Sequence, residues 1–213
     1  MTDRDAGART VFVVDDDPGV LKALGRVLEG EGWRVERYES AEAFLARPGP
    51  QAQGCLVLDV NLPGLNGLEV QRRLAETGQI LPVIFLTGQG DIPMSVHAIK
   101  AGAADFLTKP VAAAVLLKAV RAAMEQDAAA RQAQGDIADY RRRLAGLSPR
   151  EREVLAGVVA GKLNKQIAAE LGIVEQTVKF HRARVMERMQ ASSAAELMFI
   201  AAKLGVGREP PAR

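Results

Sequence analysis

The sequence has little of what staples or spans. Cys55 is its single cysteine, so no disulfide can close within the chain. With His97 and His181 as the only histidines, no Cys/His zinc cluster can be assembled either. The longest unbroken apolar run, Val111–Leu117, has seven residues, against the roughly 20 that cross a bilayer. Residues 1–10 are polar and hold no apolar core of a secretory signal. The expectation is therefore a cytoplasmic protein with no membrane partner. What is present, 48% apolar and 25% charged side chains over 213 residues, is the composition of a folded chain long enough for more than one core.

A net charge of +2 hides an asymmetry. Residues 1–124 carry 13 Lys+Arg against 15 Asp+Glu, residues 125–143 carry four of each, and residues 144–213 carry 11 against 7. The last third is the basic end, as in a module that binds a polyanion.

From residue 10 to about 125 short apolar runs alternate with helix-like stretches. Thr10–Val14, Arg34–Tyr38, Cys55–Leu58, Val83–Leu86 and Asp105–Thr108 read as strands. Helices between them have usable starts: Asp17-Pro18 before Val20, Leu21, Leu24, Val27 and Leu28; Ser40 before Phe44 and Leu45; Asp91 with Pro93 before Val96 and Ile99. Strand and helix alternating five times predict a five-stranded parallel, doubly wound α/β sheet of the flavodoxin-like kind. Ligands of such sheets gather outside the carboxyl ends of the strands. After Val111 the Ala-rich stretch to Gln134 predicts one long helix, which Gly135 and Gly146 can interrupt. At Ser148-Pro149-Arg150-Glu151 a capping box opens a new pattern of short helices, with breaks near Gly161, Gly172 and Ala191. This gives a domain over 1–125, a helical linker over 126–146 and a small all-α domain over 147–213, with no internal repeat.

At the strand ends stand Asp15 and Asp16, Asp59, Thr87, and Lys109 followed by Pro110. Strands one and three are neighbours in this topology, so the three carboxylates converge. Their mutual repulsion amounts to several kcal/mol at an effective dielectric of about 20. A hard divalent cation answers that repulsion, and Mg²⁺ takes oxygen ligands while leaving room for a phosphoryl oxygen. Asp59, beside a cation and the Lys109 ammonium, then becomes a nucleophile for phosphorus, with Thr87 offering a hydroxyl to the transferred group. Asp17 reads as a helix cap.

Val13-Val14-Asp15-Asp16-Asp17, Asp59-Val60-Asn61-Leu62-Pro63-Gly64-Leu65-Asn66-Gly67, Leu86-Thr87-Gly88 and Phe106-Leu107-Thr108-Lys109-Pro110 resemble the receiver domain of two-component response regulators. The resemblance implies that Asp59 accepts a phosphoryl group from a sensor histidine kinase, that Asp16, Asp59 and the backbone carbonyl of Asn61 hold Mg²⁺, and that Asp15 positions the metal or its water. It also implies a Lys109-Pro110 bond that is usually cis, and a switch in which Thr87 swings toward the phosphoryl group while Phe106 turns inward. Phe106 reads equally as plain strand core. Gly90-Asp91-Ile92-Pro93-Met94-Ser95-Val96 is similar to the FixJ-like branch, which makes Val96 and Lys100 candidates for a phosphorylation-dependent dimer contact; a core Val96 and a solvated Lys100 are the plain alternative. His97 reads as a surface residue.

In the basic end, Asn164–Leu171, a break at Gly172 and Glu175–Met189 have the plan of a helix-turn-helix, with Val178, Val185 and Met189 on one apolar stripe. Lys179, Arg182, Arg184 and Arg188 on the second helix suit phosphates. Leu147 through Leu155, Gly161 through Ile167 and Thr177-Val178-Lys179-Phe180-His181-Arg182 resemble the LuxR-type DNA-binding domain of the NarL/FixJ group. The resemblance makes Gln176, Lys179 and Phe180 base-facing and Asn164, Lys165, Thr177, Arg182 and Arg184 phosphate-facing. His181 becomes a packing residue, and the last helix, Ala194–Leu204, pairs two copies. Val174 stands where relatives carry a Ser or Thr cap, and Phe180 is bulkier than the usual Val.

Together these readings describe a response regulator that is phosphorylated on Asp59, forms a homodimer, binds double-stranded promoter DNA and works with RNA polymerase. It is not an enzyme in its own right. A phosphorelay or protein-interaction adaptor without DNA binding is the alternative. A haloacid-dehalogenase-type phosphatase built on Asp15 and Asp17 is the second, but it leaves Asp59 idle and meets Gly19 where Thr or Val is expected.

Overall fold

A computed structural model describes residues 9–47, 53–88, 96 and 98–206. The chain divides into two compact units, Met1–Arg131 and Gln132–Arg213. In the first, the apolar runs become β1 (Thr10–Val14), β2 (Arg34–Tyr38), β3 (Gly54–Asp59), β4 (Val83–Thr87) and β5 (Asp105–Thr108). All pair in parallel, in the order β2-β1-β3-β4-β5. β1, β3 and β4 are buried at every position while the edge strands β2 and β5 are partly exposed. That explains why the central three read as unbroken apolar runs. β3 begins one residue earlier and ends one later than the run Cys55–Leu58, taking in Gly54 and Asp59.

Strand alternation sorts the core onto two faces. Val11, Val13, Cys55, Val57, Ile84 and Leu86 pack with Leu21, Leu24 and Leu28 of α1 (Pro18–Gly30). Leu116, Val120 and Met124 of the long helix α4 (Ala113–Ala145) close that face. On the other face Phe12, Val14, Leu56, Leu58 and Phe85 meet Phe44 of α2 (Ala41–Leu45) and Val70 and Leu74 of α3 (Gly67–Glu76). The starts of α1, α2 and α3 are capped by Asp17, Ser40 and Asn66, each accepting from backbone N–H groups of its first turn. Val96 and residues 98–100 are helical. The start expected at Asp91 and Pro93, and His97, lie outside the described residues.

Gly135 does not interrupt α4, which runs 33 residues to Ala145. A helical glycine costs only about 1 kcal/mol against alanine, and the Ala-, Gln- and Arg-rich turns on either side hold the helix through it. It stops where expected, at Gly146, whose N–H donates to the carbonyls of Arg142 and Arg143.

The second unit contains α5 (Pro149–Val159), α6 (Asn164–Leu171), α7 (Glu175–Met189) and α8 (Ala194–Lys203). Its core joins Leu147, Val154, Leu155, Val158, Ile167, Val178, Val185, Met189, Leu197 and Ile200, and Tyr140 and Leu144 of α4 pack against it. The Ser148–Glu151 capping box forms in both directions, and Gly172 ends α6 with φ +62°, a left-handed conformation that suits glycine. Among the described residues no helix is long and apolar enough to cross a membrane.

Candidate functional site

The parallel register places the ends of β1, β3 and β4 side by side, with Val14 opposite Leu58 and Asp59 opposite Leu86. The residues that follow or end these strands therefore share one crevice. Carboxylate oxygens of Asp15, Asp16 and Asp59 lie within 4.8 Å of one another. Asp15 is fully buried, Asp59 is 6% exposed, and Asp16 faces solvent. From β5 the Lys109 side chain reaches back, its Nζ donating to Asp15 Oδ2 at 2.6 Å and Asp59 Oδ2 at 2.8 Å. The peptide bond between Lys109 and Pro110 is cis. Lys109 N donates to the Thr87 carbonyl at 2.7 Å, fastening the strand end that carries the lysine to the one that carries the threonine. Thr87 is buried at the end of β4.

The second carboxylate oxygens of Asp15 and Asp59 are held by backbone. Asp59 Oδ1 accepts from Asn61 N at 3.0 Å, and Asp15 Oδ1 accepts from Asp17 N at 3.1 Å. Burial lifts the Asp15 carboxyl above the usual aspartate range in spite of the Lys109 and Asp17 hydrogen bonds that oppose it. Burial also presses on Lys109, but its hydrogen bonds to Asp15 and Asp59 outweigh that and hold its ammonium above the ordinary lysine value. The donor set is all hard oxygen, with more negative charge than one ammonium balances, and so it suits a small divalent cation. Asp17 is spent elsewhere: its Oδ1 accepts from Gly19 N at 2.7 Å and Val20 N at 3.3 Å. The acid/base that a dehalogenase-type phosphatase would need is thus a helix cap.

Phe106 is half-buried, its ring centroid 6.2 Å from that of Phe85. Val96, at 46% exposure, and Lys100 both face solvent, so Val96 is not core.

In the second unit Val178, Val185 and Met189 are the buried stripe of α7. Gln176, Lys179, Phe180, Ala183 and Arg184 lie on its exposed face, with Thr177, His181 and Arg182 half-buried beside them. Phe180 is 57% exposed, with the Arg184 guanidinium 5.6 Å from its ring and the His181 ring edge-on at 5.5 Å. α6 and α7 meet where Arg182 Nη1 donates to Asn164 Oδ1 at 3.1 Å. Lys165 is exposed on the first turn of α6. Val174 caps α7 with no side-chain hydrogen bond. The side chain of Arg188, half exposed, is tied elsewhere: its Nη1 donates to the Gly146 carbonyl at 2.6 Å.

Two groups of residues escaped the sequence reading. Asp127, buried on α4, accepts from Gly54 N at 3.0 Å and from Arg131 Nε at 2.8 Å, while Arg131 Nη2 donates to the Ile80 carbonyl at 3.2 Å. In the second unit, Arg143 Nη1 donates to the Met189 carbonyl at 3.1 Å. An Asp–Arg pair four apart on a helix looks like a solvated surface pair, and nothing in spacing alone separates the two.

A parallel sheet with this acidic crevice, carried in one chain with a basic helix-turn-helix unit, defines the response regulators that act on transcription. Residues 11–121 match the family described as response regulator receiver domain, and residues 145–201 match bacterial regulatory proteins of the luxR family. The chain is 45% identical over 204 residues to the response regulator protein TmoT of Ectopseudomonas mendocina, covering 96% of this chain and 91% of that protein. It is 44% identical over 198 residues to the transcriptional regulatory protein FixJ of Rhizobium meliloti, covering 93% of this chain and 97% of that one. Among solved structures, the response regulator StyR matches with a TM-score of 0.79 at 41% identity over 92% of this chain and 100% of StyR. This chain belongs to the response regulators that join a receiver domain to a luxR-family DNA-binding domain, and the comparisons favour a DNA-binding transcriptional regulator over an adaptor.

Proposed function

We propose that Asp59 is the phosphoacceptor. The reading is carried by one observation: Asp59 shares the Lys109 ammonium with a fully buried Asp15, inside a three-carboxylate set with room for a cation. An Asp59 carboxylate oxygen attacks the phosphorus of a phosphohistidine presented by a sensor histidine kinase. The P–N bond breaks, the imidazole leaves with a proton, and an acyl phosphate remains on Asp59. Lys109 and the Thr87 hydroxyl meet the charge on the transferred oxygens. Asp16, Asp59 and the Asn61 carbonyl are the proposed Mg²⁺ ligands, and Asp15 completes the metal site by positioning the ion or its water. When bound there, the ion supplies neutralisation of the carboxylates against the incoming phosphoryl oxygens. Phe106 and Thr87 form the proposed switch.

The functional modules are a receiver over 1–125, a helical linker over 126–146 and a DNA-binding domain over 147–213, acting in the cytoplasm. Phosphorylation favours a homodimer through the face that carries Val96 and Lys100, and two copies of α7 then occupy half-sites on promoter DNA about one helical turn apart. Gln176, Lys179 and Phe180 face bases. Asn164, Lys165, Thr177, Arg182 and Arg184 face phosphates, α8 pairs two copies, and the bound dimer meets RNA polymerase.

Asp59→Asn tests the phosphoacceptor assignment. The variant takes up no phosphoryl group from a small-molecule donor with Mg²⁺, and neither its size in solution nor its retardation of DNA responds to the donor. Undiminished labelling of the variant refutes the site.

A further inference from the structure

Two helix ends in the second unit exchange arginines. Met189 is the last residue of α7; the closing turn meets the carbonyls of Glu187 and Met186 with Gln190 N and Ala191 N, and the Met189 carbonyl lies beyond that closure. The donor for its carbonyl is Arg143 Nη1 at 3.1 Å, from the last turn of α4. Gly146, one residue past the end of α4, has its carbonyl met by Arg188 Nη1 at 2.6 Å, from the last turn of α7. Each arginine thus brings a positive charge to the negative end of the other helix. Neighbours hold both in place. Arg143 is paired with Asp139 and stands 5.8 Å from the Tyr140 ring, and only 23% of its side chain is exposed. Arg188 Nε lies 3.5 Å from Oε1 of Glu151, which is 6% exposed. Tyr140 and Leu144 seat the same stretch of α4 on the core that α7 shares.

We infer that Arg143 and Arg188 are positioning residues for DNA binding: they fix the carboxyl end of α7 to the connecting helix and so set the axis along which Gln176, Lys179 and Phe180 are presented. The inference rests on α7 being the helix that faces DNA. It moves Arg188 from the phosphate contacts to the scaffold, and it brings in Arg143, which precedes the luxR-family match at 145–201.

The experiment uses the full chain and a duplex selected from a random pool by the unmutated protein, with affinity measured from about 50 to 200 mM salt. Arg143→Ala loses one charged hydrogen bond to a carbonyl, and affinity falls about fivefold. The slope of log affinity on log salt stays as it was, because no phosphate contact is lost. Arg143→Lys keeps a charged donor of nearly the same reach for the Met189 carbonyl, and affinity stays within about twofold. Arg188→Ala behaves as Arg143→Ala does. A slope reduced by about 1 in either alanine variant marks a phosphate contact and overturns the inference. Unchanged affinity in Arg143→Ala, or a Lys variant as weak as the Ala variant, overturns it too. Lys179→Ala serves as the companion: if it leaves binding intact, α7 does not face DNA and the parent reading fails. If Lys179→Ala weakens binding while Arg143→Ala does not, only the positioning role fails.

Discussion

Asp127→Ala is predicted to loosen the first unit out of proportion to the size of the change. The carboxylate is 1% exposed and serves two partners at once, the Gly54 N–H at 3.0 Å and Arg131 Nε at 2.8 and 2.9 Å. Alanine takes the acceptor from a buried N–H, which costs about 1–3 kcal/mol. Breaking a fully buried ion pair costs about 3–5 kcal/mol, but the Arg131 side chain is 20% exposed and keeps the Ile80 carbonyl, so the lower end applies. The two effects overlap, and about 3 kcal/mol is expected in all. Trp33, the single tryptophan, packs against the core on the α1 and α4 side and therefore reports on this unit alone. With a urea dependence of about 2 kcal/mol/M, the fluorescence midpoint should fall by about 1.5 M. Asp127→Asn keeps an acceptor for Gly54 and loses the charge, and should fall by about 0.5 M. An alanine midpoint within about 0.3 M of the parent, at unchanged slope, refutes the reasoning.

A Cβ built on Gly67 lies 2.7 Å from the Asp59 carbonyl oxygen and 3.1 Å from the Phe85 ring. Gly67→Ala should therefore cost about 1–3 kcal/mol by overpacking and slow phosphoryl uptake by shifting the turn after Asp59. An unchanged uptake rate counts against that reading. Cys55 is fully buried, and burial, with the nearby Asp127 charge, pushes its thiol up to about 12. A thiol reagent at mildly alkaline pH should label it only once urea has unfolded the first unit; rapid labelling of the native chain would show the burial to be wrong.

Much of the fold was legible because local and global signals agree in it. β1, β3 and β4 are covered on both faces and so print as apolar runs, and Asp17-Pro18, Ser40 and Ser148-Pro149 start helices where capping chemistry says they must. The crevice was legible for a topological reason: a parallel sheet delivers residues from four distant segments to one edge, so Asp15, Asp59, Thr87 and Lys109 could be brought together from strand order alone. What failed was one glycine and whatever depends on where a long side chain ends up. Gly135 looked like a break and is a passenger in α4. Arg188 was grouped with the phosphate-facing cations of its helix, yet its guanidinium turns back to the Gly146 carbonyl. Asp127 and Arg143 sit in an evenly charged stretch whose pattern reads as solvated helix. Only the third dimension shows that one meets the start of β3 and the other the end of α7.

The crevice also has a pH dependence whose sign runs against the ordinary acid behaviour of proteins. Usually a carboxylate paired in the native state titrates below its unfolded value, and acid removes its stabilisation. Asp15 is the reverse case, since burial raises its carboxyl despite Lys109 and Asp17. Between the unfolded value of 3.8 and that raised value the native chain holds more protons than the unfolded one, so stability from this group falls as pH rises through the window. Lys109 does not offset this near neutrality: its ammonium is held above 10.5, so its contribution is complete below that value and is lost only on further alkalinisation. Asp59 and the exposed Asp16 are the other charges at this edge. In metal-free buffer Asp15→Asn, which keeps an acceptor for the lysine and removes the buried charge, should raise the Trp33 urea midpoint at pH 7, and the gain should shrink as pH falls toward 3.8. If the gain grows on acidification instead, the buried Asp15 carboxylate is a net stabiliser, and the charge imbalance argued to draw a cation into the crevice is not there.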